Sequence, residues 1–481
     1  MKNTKLISGL LLTISAITAP AVSSAETLLE IYQQALQSDP LIHEAEARRL
    51  AALEAKPQAR SAYLPQLDFG GQYSTAQTSG DTVIIGTDGE AVSVVSDTDT
   101  DILNWGFTLN QSLFRWDKIV NLRRADKLVA KAEAQREAAQ QDLIVRVTQR
   151  YFDVLAAEDR LTARHANRNA IARQLEQAKQ RFDVGLIAIT SVQESQAAYD
   201  SAVADEIGAK RALATAREFL REITGQYVSE LSAPGDKLPL NTPNPNQESA
   251  WIDLAHSQNL ALVSSRIDEE LARDEISFRK NGHYPTLELV ASTGDQDSDV
   301  FRVTPGLPDF TNESSSSRDS ISVQFNVPLF AGGGTSSRVR EAVYLHRASR
   351  EQLQRVTRET ERATRDAYLG VLSEISRVKA LKRAVESNQT ALEATQAGFE
   401  VGTRTIVDVL DSQFGLYLSI TNYYQSRYDY LLNVMRLKQA AGTLQVQDLE
   451  MLEQFLEERK SPEQQIADEE REKAEAEATS N

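Results

Sequence analysis

The 481-residue chain contains no cysteine, which excludes disulfides, thiolate zinc sites and thiol nucleophiles. It has only five histidines, His43, His165, His256, His283 and His346, and no two stand at a helical metal-binding spacing. Histidines placed singly like these are ordinarily packed or solvated. Gly332 to Gly334 could suggest a phosphate loop, but no Lys-Ser/Thr pair follows at the required spacing. Nor is there a nucleophile elbow or a Ser-His-Asp arrangement. The chain is therefore not expected to be an enzyme, and no catalytic residue, cofactor or metal is assigned. Long apolar runs are also missing beyond the first residues. A membrane-spanning helix needs about 18 or more consecutive apolar residues, so any spanning role falls to β-strands. Positive charge is in deficit, with 52 Lys and Arg against 69 Asp and Glu, a net charge of -17. That balance argues against a nucleic-acid partner. Solubility of long charged helices and a Glu-rich segment after Pro462 accounts for the bulk of it, with an acidic lumen as the sharper alternative.

What is present begins with a leader pattern. Lys2 and Lys5 precede an apolar stretch from Leu6 to Val22, and Ser23 and Ala25 have the spacing of a signal-peptidase site. Residues 1–25 are read as a cleaved signal peptide. An uncleaved anchor is the alternative, weakened by Ser8, Gly9, Thr13, Ser15, Thr18 and Pro20 within the stretch.

Shifted against itself by roughly 217 to 220 residues, the chain repeats. YLPQLDF at Tyr63 returns as HYPTLEL at His283, WGFTLNQSLF at Trp105 as ISVQFNVPLF at Ile321, and RFDVGLIAITSVQESQ at Arg181 as GFEVGTRTIVDVLDSQ at Gly398. The expected organisation is a first repeat over 26–233, a proline-rich linker over 234–247, a second repeat over 248–452, and an acidic tail over 453–481 that is solvated and disordered. Each repeat reads as helix, strand, polar loop, strand, very long helix, Val-Gly turn and second helix. The stretch from Asp117 to Phe182 lacks glycine and proline and predicts a helix about 100 Å long. Leu143, Val147, Tyr151 and Val154, and in the second repeat Ala367, Val371, Ile375, Val378, Leu381 and Val385, form narrow apolar stripes suited to coiled-coil pairing.

Strands are predicted over 67–74, 105–113, 287–293 and 321–329, where apolar and polar residues alternate. Phe107, Leu109 and Leu113 would share one face, with Thr108, Asn110 and Ser112 on the other. This is the lipid-out, lumen-in pattern, which a half-buried soluble sheet also produces. The intervening segments, Ala76 to Asp101 and Gly294 to Asp319, read as long polar loops. Four strands cannot close a barrel, so membrane insertion would require several chains to share one.

YLPQL at Tyr63, LNQSLFRWDK at Leu109, RFDVGLIAIT at Arg181, VPLFAGGGTSSRV at Val327 and VGTRTIVDVLD at Val401 occur in this order. On these motifs the chain, from Glu26 to about Leu452, resembles the TolC family of outer membrane efflux proteins. The resemblance implies an α+β membrane protein. Its homotrimer would form one twelve-stranded outer-membrane β-barrel with four strands per chain, continued by a coiled-coil α-helical tunnel across the periplasm of a Gram-negative bacterium. It implies an exit channel for multidrug efflux, type I protein secretion or both. The implied partners are outer-membrane lipid, a periplasmic adaptor (membrane fusion) protein, and an inner-membrane efflux pump or ABC transporter, which supply energy and select cargo.

Asp408 and Asp411, three residues apart, share one helix face just after the Val401-Gly402 turn. The resemblance makes them acidic rings at a constriction, where crowded carboxylates favour cations. The structural alternative is helix capping, since the repeat-equivalent Ser191 and Glu194 read as an S-x-x-E capping box. The repeat pairs Glu194 with Asp411, so Glu194 is either a further constriction carboxylate or a cap. Arg404 matches a family arginine that ties the inner hairpin to its neighbours, against the alternative of an exposed turn arginine. The chain departs from the family at Phe399, where a tyrosine is expected, and at Ser191, where its aspartate partner is expected. That latch cannot form here, so closure would pass through Arg404 with Thr190 or Ser191, or the resting channel would open more easily. Gly185 and Gly402 mark the two hairpin turns. The competing class is an exported coiled-coil structural protein of the periplasm or cell surface.

Overall fold

A computed structural model describes residues 25–85, 89–228, 230–235 and 238–457. Of the expected leader over 1–25 all but Ala25, and of the expected tail over 453–481 all beyond Glu457, lie outside the described residues; the first residues of that tail are not disordered as expected, because Glu453 ends a helix and Leu456–Glu457 pairs as a strand with Ala233–Pro234. Three short helices, α1 (Leu28–Ser38), α2 (Pro40–Leu53) and α3 (Ala55–Ser61), lead into the strand pair β1 (Gln66–Ile85) and β2 (Ala91–Phe114). Two long helices follow, α4 (Trp116–Asp183) and α5 (Ile189–Thr224), and then a two-residue strand, β3 (Ala233–Pro234). The same order recurs with α6 (Glu248–Gln258), α7 (Leu260–Arg279), β4 (Thr286–Val303), β5 (Phe310–Asn326), α8 (Gly334–Glu400) and α9 (Ile406–Ala441). Helix α10 (Val446–Glu453) and β6 (Leu456–Glu457), which pairs with β3, complete the described chain.

With 68 residues and no internal glycine or proline, α4 extends about 100 Å at 1.5 Å per residue. It stops at Val184-Gly185, where Gly185 has φ 78°; Leu186 N–H returns to the Arg181 carbonyl at 2.8 Å. Helix α8 stops in the same way at Val401-Gly402, with Gly402 at φ 77° and Thr403 N–H on the Gly398 carbonyl at 2.8 Å. A side chain at this left-handed position would be strained, so glycine fixes where each helix turns back.

The core lies midway along these helices, where the shorter elements wrap them. Leu143, Val147, Tyr151 and Val154 of α4 and Val371, Ile375 and Val378 of α8 are buried against Leu28, Ile31 and Tyr32 of α1 and Leu449 and Leu452 of α10. Burial of each large aliphatic contributes roughly 1.5–3 kcal/mol. Toward the turns the core thins to two small clusters, Leu175, Ala178 and Val192 in one hairpin, and Leu392, Val409 and Leu416 in the other.

The strands form one antiparallel sheet in the order β1-β2-β4-β5. They run well past the predicted limits. The pairing of β1 with β2 continues from Gln66↔Asn110 to Ile85↔Ala91, and that of β4 with β5 from Thr286↔Asn326 to Arg302↔Phe310. The segments expected as long loops are thus mostly strand. Their Ser, Thr and Asp side chains hide the alternation, but hairpin pairing rests on backbone hydrogen bonds that continue regardless. In contrast, β5 ends at Asn326 rather than 329, because Pro328 has no N–H to donate. A register shift between Ser112 and Phe114 takes Leu113 out of the face it was expected to share with Phe107 and Leu109.

One face of the sheet carries Leu67, Phe69 and Tyr73 of β1, Leu103, Trp105 and Phe107 of β2, and Ile321, Val323 and Phe325 of β5, all exposed. The other carries mainly Gln, Asn, Ser, Thr and Gly. Strands β1 and β5 leave the two outer edges unpaired. At the base, Arg115 joins β2 to α4 and holds Asp117 at 2.9 Å and Glu288 of β4 at 2.8 Å, fixing the sheet on the helices.

Candidate functional site

The residues singled out from the sequence gather at the two Val-Gly turns. Thr405 is the N-cap of α9, and Asp408 completes a capping box with it. Asp408 N–H donates to Thr405 Oγ1 at 3.2 Å, while Asp408 Oδ2 accepts from Thr405 N–H and Thr405 Oγ1, each at 2.8 Å. These donors, the backbone N–H first, with the Arg404 charge nearby, hold the Asp408 carboxyl below its ordinary value of 3.8. Capping is therefore real, but the pair is Thr405 with Asp408, not Asp408 with Asp411. Ile406, Val409 and Gln413 turn inward and are buried, which leaves Asp408 half-buried and Asp411 exposed on the other side.

The capping box expected of Ser191 and Glu194 does not form. Helix α5 has Ala188 as its N-cap, without a side-chain cap bond, so Ser191 already lies inside the first turn. Its N–H bonds the Ala188 carbonyl at 3.1 Å, and its own carbonyl accepts Ser195 Oγ at 2.9 Å. Thr190 and Glu194 are exposed and Ser191 is half-buried. Glu194 is thus released from the backbone role that competed with a lumenal one.

Arg404 is exposed and folds over its own hairpin: a Cβ added at Gly398 would lie 2.8 Å from Arg404 Cγ. Among the described residues of the chain its side chain makes no hydrogen bond to Thr190 or Ser191. Phe399 packs with the Leu392, Val409 and Leu416 cluster and lies beneath the Arg181 guanidinium, 5.0 Å from the ring centroid. Arg181 was not among the residues picked from the sequence. Its repeat counterpart is Gly398, and that departure from internal symmetry is the signal that could have drawn attention to it. Further along, Gln413 Nε2 donates to the Asn167 carbonyl at 3.3 Å and the Arg164 guanidinium lies 5.6 Å from the Phe414 ring, joining α9 to α4.

Taken together, the tips present carboxylates, guanidinium groups and hydroxyls. Among the described residues, no helix is long and apolar enough to cross a membrane, and no group of three or more His, Asp or Glu could hold a metal ion.

Residues 31–226 and 251–443 match the outer membrane efflux protein family. The chain is 38% identical over 429 residues to outer membrane protein TolC of Vibrio cholerae, covering 88% of this chain and 92% of that protein. It is 28% identical over 427 residues to the alkaline protease secretion protein AprF of Pseudomonas aeruginosa, covering 88% and 86%. In fold it is similar to the CmeC outer membrane channel of Campylobacter jejuni, with a TM-score of 0.67, 15% identity and 97% of each chain covered.

Proposed function

The chain belongs to the outer membrane efflux protein family and acts in the Gram-negative outer membrane as an exit channel reaching into the periplasm; from that premise we propose how it builds and gates its duct. Three copies of the four-stranded sheet give twelve strands, enough to close a barrel around an open lumen. The observation that carries this reading is the sheet itself. Its apolar face is uncovered and both edges are open, and in lipid each unpaired backbone group costs several kcal/mol until a neighbouring copy pairs with it. A coiled-coil structural protein would leave that face and those edges unexplained.

The long hairpins then line a periplasmic tunnel, and the two halves of the chain, 26–233 and 248–452 about the 234–247 linker, contribute equivalent walls. Solute passes without chemistry. A periplasmic adaptor and an inner-membrane pump or ABC transporter meet the turn end, and the cargo, drugs, proteins or both, is chosen there. Asp408 and Asp411 form acidic rings at that end, with Glu194 as a further carboxylate. Capping does not remove Asp408 from this role, because both of its cap bonds use Oδ2 and Oδ1 stays outside the cap. Arg404, unbonded to Thr190 and Ser191 within its own chain, reaches those of the next copy and holds the entrance shut. Phe399 has no hydroxyl with which to share that task.

Single-channel recording in a planar bilayer tests the proposal. Small cation-selective currents whose selectivity falls sharply in Asp408→Ala/Asp411→Ala support both the duct and its acidic end. Unaltered selectivity reduces the aspartates to structural residues, and failure to insert overturns the barrel. Resting conductance unchanged by Arg404→Ala would remove Arg404 from the closure.

A further inference from the structure

A second group of side chains lies on the sheet, remote from the hairpin turns. Register places Gly70 opposite Gly106, Gly106 opposite Gly294, and Gly294 opposite Arg318, the middle residue of β5. This row crosses all four strands on the face that lines the proposed duct. The next row toward the hairpin ends of the strands is Gln72, Asn104, Gln296 and Ser316; the row on the other side is Asp68, Thr108, Ser292 and Ser320. Arg318 therefore stands beside a floor without side chains, with carboxamide groups along one margin and hydroxyls along the other, whose far member, on β1, is the carboxylate of Asp68. The concavity so formed has a volume of about 550 Å³. Its two central positions cannot readily be filled: a Cβ at Gly106 would lie 2.7 Å from the Thr293 carbonyl oxygen, and one at Gly294 would lie 2.6 Å from that of Trp105, whereas Gly70 is open.

The charge pattern of this face isolates Arg318. Among the described strand residues facing the duct, the charged ones are Asp68, Glu288, Arg302 and Arg318. Glu288 is paired with Arg115 at 2.8 Å. Arg302 donates to Thr98 Oγ1 at 3.2 Å and its guanidinium lies 5.9 Å from the Phe310 ring. Arg318 has no carboxylate partner among the described residues of its own chain. A guanidinium offers a planar fork of donors that matches an oxyanion, and carboxamide N–H and hydroxyl groups add neutral donors.

We propose that Arg318, with Gln72, Asn104 and Gln296 beside the glycine floor, forms a lumenal subsite for the oxyanion groups of passing solutes, carboxylate, sulfate or phosphate. The subsite rests on the reading that copies of the chain close this face into a duct. It gives the duct opposite polarity at its two levels, carboxylates at the periplasmic turns and guanidinium groups within the barrel. Closure also brings β5 beside β1 of the next copy, so the competing arrangement is one in which Asp68 of that copy neutralises Arg318.

The test is block of single-channel current by citrate added on the side of the strand hairpin ends, in wild type, Arg318→Gln, Arg318→Lys and Arg302→Gln. Heat-sensitive oligomers on gels verify assembly of each variant. Wild type should be blocked in a concentration-dependent way that weakens as KCl is raised, since screening shortens the reach of each charge. Arg318→Gln should raise the half-blocking concentration about tenfold, with Arg318→Lys between, because the charge is kept but the two-pronged donor is lost. Arg302→Gln should match wild type. Equal block of wild type and Arg318→Gln, or conduction without any citrate block in wild type, overturns the subsite. Absence of current from correctly assembled wild type would instead overturn the duct on which the subsite rests.

Discussion

The guanidinium of Arg181, in the last turn of α4, lies 5.0 Å from the ring centroid of Phe399, in the last turn of α8. The turn ends of the two hairpins are thereby joined within one chain. A half-exposed cation–π contact is worth about 0.5–1 kcal/mol, or roughly a two- to fivefold change in a closed-to-open ratio. If the hairpins part when the entrance opens, Arg181→Ala and Phe399→Leu should each raise resting conductance or open probability by about that factor. Phe399→Tyr keeps the ring and should stay near wild type. A Phe399→Leu channel as quiet as wild type would show that this contact only packs the tip.

Asp408 gives a pH signature. Its carboxyl is held below the ordinary 3.8 by the Thr405 N–H, the Thr405 hydroxyl and the nearby Arg404. A group depressed in the folded state adds its stabilisation above its unfolded value and loses it as pH falls through the folded value. The cap on α9 is therefore at full strength at neutral pH and fails only in acid. In an Asp411→Asn/Glu194→Gln channel, where Asp408 alone carries the ring, cation preference should survive acidification to 3.8 and fall below it. Adding Thr405→Ala removes one donor and should move the loss to higher pH. A midpoint well above 3.8 in the Asp411→Asn/Glu194→Gln channel would mean that repulsion among copies outweighs the cap.

The helices were legible because their signals are local. A stretch free of glycine and proline, stopped by Val-Gly, gives α4 to within a residue at each end, and the stripe of Leu143, Val147, Tyr151 and Val154 names the buried face. The strands were legible only where they carry apolar alternation, as at Leu67 to Tyr73. The Ser- and Asp-rich lengths beyond are held by backbone pairing with polar cross-strand contacts such as Thr82 with Ser96, so no apolar alternation announces a strand. At the site, Thr405-x-x-Asp408 is a readable capping signature, whereas Ser191-x-x-Glu194 carries the same letters without the cap because α5 begins at Ile189. The Arg181 contact with Phe399 joins the two repeats across the fold, and no local pattern encodes it.

Tyr151 tests how the mid-helix core is tied to the segment that leads into α1. Its buried hydroxyl donates to the Ser232 carbonyl at 2.6 Å and lies 3.3 Å from the Glu26 carbonyl. Tyr151→Phe keeps the ring but strips that donor from buried carbonyl groups, at a cost of about 1–3 kcal/mol. The variant should dissociate and unfold at lower temperature than wild type while single-channel conductance is unchanged, because the residue lies far from the turns. Unchanged thermal stability would show that water replaces the hydroxyl.

Glu194 offers the sharpest test of the acidic end, since its competing role as a capping residue is absent from the fold. It is exposed on α5, one turn beyond Ser191, and the internal repeat sets it against Asp411. If it faces the same constriction, each copy contributes three carboxylates there, and removing two leaves a ring that still attracts cations. Asp408→Ala/Asp411→Ala should then retain a residual cation preference that Glu194→Gln abolishes. Glu194→Gln alone should change selectivity little, because two rings remain. Reversal potentials in a salt gradient measure this directly, and a triple variant no less selective than the double would place Glu194 outside the permeation path.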